Sequence, residues 1–205
     1  MRTNRLEAFS DGVLAIAITI MVLELRTPED PTLRALWDAT GIRFLAYVLS
    51  FVFIAIYWNN HHHLFQLVDR VSGSVLWANL HLLFWLSLLP FTTNWMAETE
   101  IARAPTIAYG INLLLAGFAF WTLEMTIKRH PTEGTRYRDA VGTGNKGLIS
   151  LAGCLLGIGA AAIAPLLAIG VFAAVTLIWL IPDRRIERYL ADPHNTPPPD
   201  TGVTP

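Results

Sequence analysis

The segment Arg5-Leu-Glu-Ala-Phe9-Ser10-Asp11 carries a guanidinium, a hydroxyl and a carboxylate directly into an apolar run from Gly12 to Leu25. An Asp at the centre of a bilayer-spanning helix is disfavoured by roughly 2.5 to 3.5 kcal/mol, and by less near an end, so charge kept there implies a task. Arg5 and Asp11 are six residues apart, about 120° around a helix, whereas intrahelical pairs form at three or four, so Asp11 must find partners on other elements. Two later segments supply them: Asn59-Asn60-His61-His62-His63 at the end of a second apolar run, and Trp77, Asn79 and His81 at the start of a third. These side chains, His61 included, are therefore candidates with Ser10 and Asp11 for an interhelical hydrogen-bond network, Ser10, Asp11, His62, His63, Asn79 and His81 foremost. Such a network would hold the acid among neighbouring helices and anchor the first one.

Three consecutive imidazoles suggest a metal, but neighbours on a helix point about 100° apart and cannot all grip one ion. Only Asn59 and His63 have the i, i+4 spacing, so no metal site is assigned. A pH-sensing role stays open, because histidine titrates near neutrality. Glu24, Glu98, Glu100 and Glu124 could attract cations, although Glu124 precedes Lys128 by four residues, the favoured order for an intrahelical pair.

The first helix carries a second pattern. With Ile16 at zero, Thr19 falls near about -60°, Ile20 near +40° and Leu23 near -20°, so the four share a face, while Asp11 lies about 140° away. That is an apolar stripe interrupted by one hydroxyl.

The elements positioning these residues belong to a membrane protein. The chain is 53% hydrophobic and 15% charged, against about 25% charged in soluble domains. A span needs about 20 apolar residues, and candidates lie at Phe9 to Leu25, Ile42 to Trp58, Leu76 to Trp95 and Ile107 to Ile127. The run from Gly147 to Ile181 is too long for one span and breaks at Ala164-Pro165, which makes two short helices and six in all. The expected fold is thus all-α, with a membrane domain over residues 1–190. The proline-rich tail from Ala191 to Pro205 has no apolar period and reads as a disordered cytoplasmic extension. The connector from Arg26 to Gly41 is expected to hold no more than a short interfacial turn at Leu33, Leu36 and Trp37.

With the N-terminus inside, the cytoplasmic side collects Arg2, Arg5, Arg70, Lys128, Arg129, Arg136, Arg138, Lys146, Arg184, Arg185 and Arg188, and the other side Arg26, Arg34, Arg43 and Arg103. This excess places both termini in the cytoplasm of a multi-pass cell-membrane protein, with a basic loop from Lys128 to Lys146. Arg2 and Arg5 before an apolar run also fit a signal peptide. Against that, Glu7 and Asp11 interrupt the approach, and no small-x-small cleavage site follows Leu25. A net charge of -1 provides no basic field for nucleic acid, and no phosphate-binding glycine loop is present. The lone Cys154 cannot form an intrachain disulfide.

The run Arg5-x-x-x-Phe9-Ser10-Asp11 followed by Gly-Val-Leu-Ala-Ile-Ala-Ile-Thr resembles the opening of the transmembrane protein 175 family of potassium channels, and Trp58-Asn-Asn-His-His-His-Leu-Phe65 is similar to a second family segment. One six-helix repeat of this length resembles the prokaryotic members. The resemblance implies a homotetramer in the lipid bilayer, permeable to potassium ions, without an enzymatic cofactor and without a carbonyl-lined filter. No Thr-Val-Gly-Tyr-Gly stretch occurs. It further implies that the first helix lines the pore, with Ile16, Ile20 and Leu23 as the constriction and Thr19 as the residue tied to ion preference. The neighbouring hydroxyl of some members is Ala15 here. A proton-coupled secondary transporter using Asp11 and the histidines is the competing function, because such relays use the same residue types. A membrane enzyme or metal-binding protein built on His61 to His63 is a third; neither accounts for the apolar stripe.

Overall fold

The computed structural model describes residues 3–68, 71–129 and 146–180, all as helices and the short turns between them. The tail from Ala191 to Pro205, most of the basic loop before Lys146, and Arg2, Arg70, Arg184, Arg185 and Arg188 lie outside the described residues.

Helix α1 (Thr3–Leu23) buries Thr3, Leu6, Ser10, Leu14, Ala17 and Met21. Their spacing of three and four is that of one helical face. Helix α2 (Leu33–Gln66) is 34 residues long, about 51 Å, well beyond the ~30 Å hydrocarbon layer. It absorbs most of the expected connector. No glycine or proline separates Leu33 from Ala39, and the hydroxyl of Thr32 accepts from the Ala35 amide at 3.2 Å, so a helix can start there. Gly41 then lies against the Trp37 ring, where a Cβ would come within 3.1 Å of it.

The third apolar run is one 26-residue span, Gly73–Glu98, divided into α3 (Gly73–Ser87) and α4 (Leu89–Glu98). Pro90, which lacks an amide donor, opens the ladder at Leu88 and Leu89. Asn112 of α5 (Arg103–Lys128) fills the gap. With its amide oriented to satisfy both ends, it donates to the Trp85 carbonyl at 2.9 Å and accepts from the Leu89 amide at 3.2 Å and the Thr92 hydroxyl at 3.1 Å. Nearby, Ser50 of α2 bonds Thr93 of α4 at 2.8 Å and Tyr109 of α5 at 3.1 Å, which joins three helices. Chain reversal between α4 and α5 uses a left-handed turn at Glu100 (φ 51) and Ile101 (φ 61). The Ile101 amide donates back to Met96 O at 2.9 Å and the Glu100 amide to Ala97 O at 3.2 Å.

Two shorter helices, α6 (Lys146–Ala161) and α7 (Pro165–Leu180), follow the expected division at Pro165. Each has 16 residues, about 24 Å. Among the described residues, four helical stretches are long and apolar enough to cross a membrane, and this pair is shorter. Glycines let α5, α6 and α7 close on Phe172, which is wholly buried. A Cβ at Gly110 would lie 2.6 Å from the Phe172 ring, and Cβ atoms at Gly157 and Gly153 would strike Phe172 and Val175. These glycines accept large side chains, which is how small residues serve membrane helix packing here.

Candidate functional site

The two faces of α1 have different fates. Leu6, Ser10, Leu14, Ala17 and Met21 pack inward, against α2, α3 and α4. The opposite stripe is exposed among the described residues: Ile16 is 60% exposed, Ile20 43% and Leu23 81%. Thr19 is exposed on the same side, and its hydroxyl donates to the Ile16 carbonyl at 2.9 Å. The hydroxyl proton is thereby engaged, and the oxygen keeps lone pairs able to accept.

The polar network forms around Ser10. Asn79 of α3 donates from Nδ2 to Ser10 Oγ at 3.0 Å, and its Oδ1 bonds His61 Nε2 of α2 at 2.7 Å. Ser10 in turn donates to the Leu6 carbonyl at 2.9 Å. All three side chains are buried, so α1, α2 and α3 are tied by a satisfied chain of hydrogen bonds.

Asp11 differs from the sequence expectation of an acid held among helices. It is exposed, and its Oδ1 accepts from Trp58 Nε1 at 2.9 Å. One residue along a helix is about a 100° turn, so with Leu6, Ser10 and Leu14 facing the core, Asp11 must stand at the side. Ser10 was the better candidate for burial, since it keeps four-residue spacing with Leu6 and Leu14. The histidines also divide. Of the three consecutive histidines considered for the network, His61 is the one that meets Asn79, and His62 and His63 stand outside it. His62 is exposed, bonded to Gln66 at 2.9 Å and stacked on Trp58 with ring planes 13° apart. His63 approaches Gln66 Oε1 at 3.5 Å. His81 accepts from Trp85 Nε1 at 3.0 Å on its own helix and stays outside the network. Arg5 and Phe9 are exposed on α1, and Arg5 forms no ion pair with a described residue.

The far end of α1 is also held. Arg26 Nη2 lies 2.6 Å from Glu98 Oε1, and Thr40 Oγ1 donates to the Arg26 carbonyl at 2.7 Å. Arg43 approaches Glu98 at 3.9 Å and donates to Ala39 O at 3.1 Å. Glu98 thus faces two guanidiniums and is a poor cation attractor, unlike the expectation from sequence. Glu24 and Glu100 remain exposed. The outcome is a helix fixed near both ends, presenting an uncovered apolar stripe with one hydroxyl between them. Among the described residues no three of His, Cys, Asp and Glu converge as metal ligands would.

The family model described as endosomal/lysosomal potassium channel TMEM175 matches residues 5–90. A potassium channel of Chryseobacterium sp. (strain P1-3) is 50% identical over 94% of this chain and 100% of its own length. The mouse endosomal/lysosomal proton channel TMEM175 is 28% identical over 58% of this chain, which spans 26% of the mouse protein. The fold is similar to the crystal structure of a lysosomal potassium-selective channel TMEM175 homolog from Chamaesiphon minutus, with a TM-score of 0.74 and 29% identity, covering 87% of this chain and 96% of that one.

Proposed function

The chain belongs to the TMEM175 family, a family of ion channels and not of enzymes, and from that membership we propose that it forms a potassium-permeable cation channel in the cell membrane. Four copies surround one pore, each contributing α1, and the constriction consists of rings of Ile16, Ile20 and Leu23. The observation carrying this reading is the uncovered stripe: in a chain whose α1 buries its other face, these residues need either lipid or a second copy. An exposed threonine among them, its oxygen still able to accept a hydrogen bond, suits a water path better than lipid. Closed symmetry follows, because an apolar ring needs several equivalent contributors.

Such a pore closes by dewetting when narrow and conducts when a tilt or rotation of α1 widens it. Thr19 then sets ion preference at the constriction. Selectivity needs no carbonyl filter, since the conduction path is made of helix side chains. The Lys and Arg distribution supports cytoplasmic termini. The coupled-transporter reading has less support, because Asp11 bonds an indole N–H, which does not relay protons at neutral pH, and no histidine among the described residues bonds it directly.

Planar-bilayer recording of purified protein in asymmetric potassium and sodium tests the reading. Channel behaviour is a non-saturating current that reverses toward the potassium equilibrium potential, with no stoichiometric proton flux. Ile20→Asn should leak, because a polar ring wets the constriction. Wild-type conductance in that variant would remove Ile20 from the constriction, and absence of any cation current would reject the channel.

A further inference from the structure

Gly12 lies four residues before Ile16, about 40° away around α1 and about 6 Å along it, which places it on the same exposed face. A glycine inside a helix costs roughly 1 kcal/mol relative to alanine, so its position wants a reason. Packing within the chain is not that reason. At Gly110, Gly153 and Gly157 a Cβ would collide with Phe172 or Val175, whereas at Gly12 it would meet nothing within 4 Å. Other glycines are open too, including Gly159 and Gly170, but of these only Gly12 is on the exposed face of α1. Along that face Phe9 is 54% and Ile16 60% exposed on either side of the glycine, while its other exposed neighbours, Ala8 and Ala15, are small.

We infer that Gly12 lines the conduction path as a layer without side chains on the N-terminal side of the Ile16 ring, wide enough for a potassium ion to keep its water before the constriction. The inference rests on the channel reading above. One ring of four Ile16 side chains narrows the path, and removing every side-chain atom one turn earlier widens it again. Apolar rings exclude water only while they are narrow, so the glycine layer stays wet next to a segment that can dry. The exposed Asp11 carboxylates stand beside it and raise the local cation concentration.

The test uses the full chain reconstituted in bilayers, with Gly12→Ser, Gly12→Leu and Ile20→Asn recorded in parallel. Gly12→Ser should assemble and keep its current within about twofold, while Gly12→Leu extends the dry segment and lowers potassium current by about tenfold or more. Gly12→Cys in a Cys154→Ala background should be blocked by a cationic thiol reagent applied from the side of the N-terminus. Wild-type current in Gly12→Leu together with a leak in Ile20→Asn overturns the glycine layer alone; wild-type current in both overturns the layer and removes Ile20 from the constriction, and absence of any cation current in the unmodified protein overturns the channel reading beneath it. Should Gly12→Leu fail to assemble, the cysteine variant decides. Block supports the layer, and current unaffected by the reagent overturns it. Loss of assembly in Gly12→Ser would make the glycine a contact between subunits and likewise overturn it.

Discussion

Replacing Asn79 with alanine removes the centre of the only buried polar chain joining α1, α2 and α3 among the described residues, at 3.0 Å from Ser10 and 2.7 Å from His61. Interhelical hydrogen bonds in membranes average about 0.6 kcal/mol and reach about 1.7, so two of them contribute roughly 1 to 3 kcal/mol. The loss is unequal between the partners. Ser10 keeps its bond to Leu6 O, whereas His61 Nε2 is left buried without its Asn79 partner. We expect Asn79→Ala to cost about 2 kcal/mol, and a double-mutant cycle with Ser10→Ala to show a coupling of about 0.6 to 1.7 kcal/mol. Asp11→Ala should cost less than about 1 kcal/mol, since its bond to Trp58 is exposed to solvent or headgroups. The assay is SDS-driven unfolding of purified protein at one fixed concentration, read by tryptophan fluorescence, with size exclusion to confirm assembly. A coupling below about 0.2 kcal/mol, or an Asp11→Ala penalty larger than that of Ser10→Ala, would refute the view that Ser10 anchors α1.

Gly110→Ala must displace Phe172, whose ring lies 2.6 Å from the added Cβ, so it should lose about 1 to 3 kcal/mol by overpacking. Gly159→Ala meets nothing within 4 Å and should unfold at the same or a higher SDS concentration. Thr19→Ala removes the hydroxyl from the stripe and should lower the potassium over sodium preference; an unaltered reversal potential under bi-ionic conditions would count against its role. Glu98→Gln should change stability by less than about 1 kcal/mol, because its Arg26 partner is largely exposed, and the change should shrink as salt is added.

The apolar runs, the division at Pro165 and the stripe of Ile16, Thr19, Ile20 and Leu23 were all legible in the sequence, because each depends on local quantities: run length, a missing amide donor and a rotation of about 100° per residue. Family membership was legible for a related reason, since Arg5-x-x-x-Phe9-Ser10-Asp11 is a contiguous motif. Pro90 offered the same signal as Pro165, and the division of α3 from α4 could have been read from it. The tertiary structure alone decided which polar groups meet. Whether Ser10 or Asp11 turns inward depends on how α1 is rotated against α2 and α3, and the Ser10 to Asn79 bond spans 69 positions of chain. Likewise His61 was singled out from three identical neighbours by the helix facing it, Asn112 was brought to the opening at Pro90, and Glu98 was met by arginines from two other segments. Periodicity specifies what a helix can present, and packing specifies to whom.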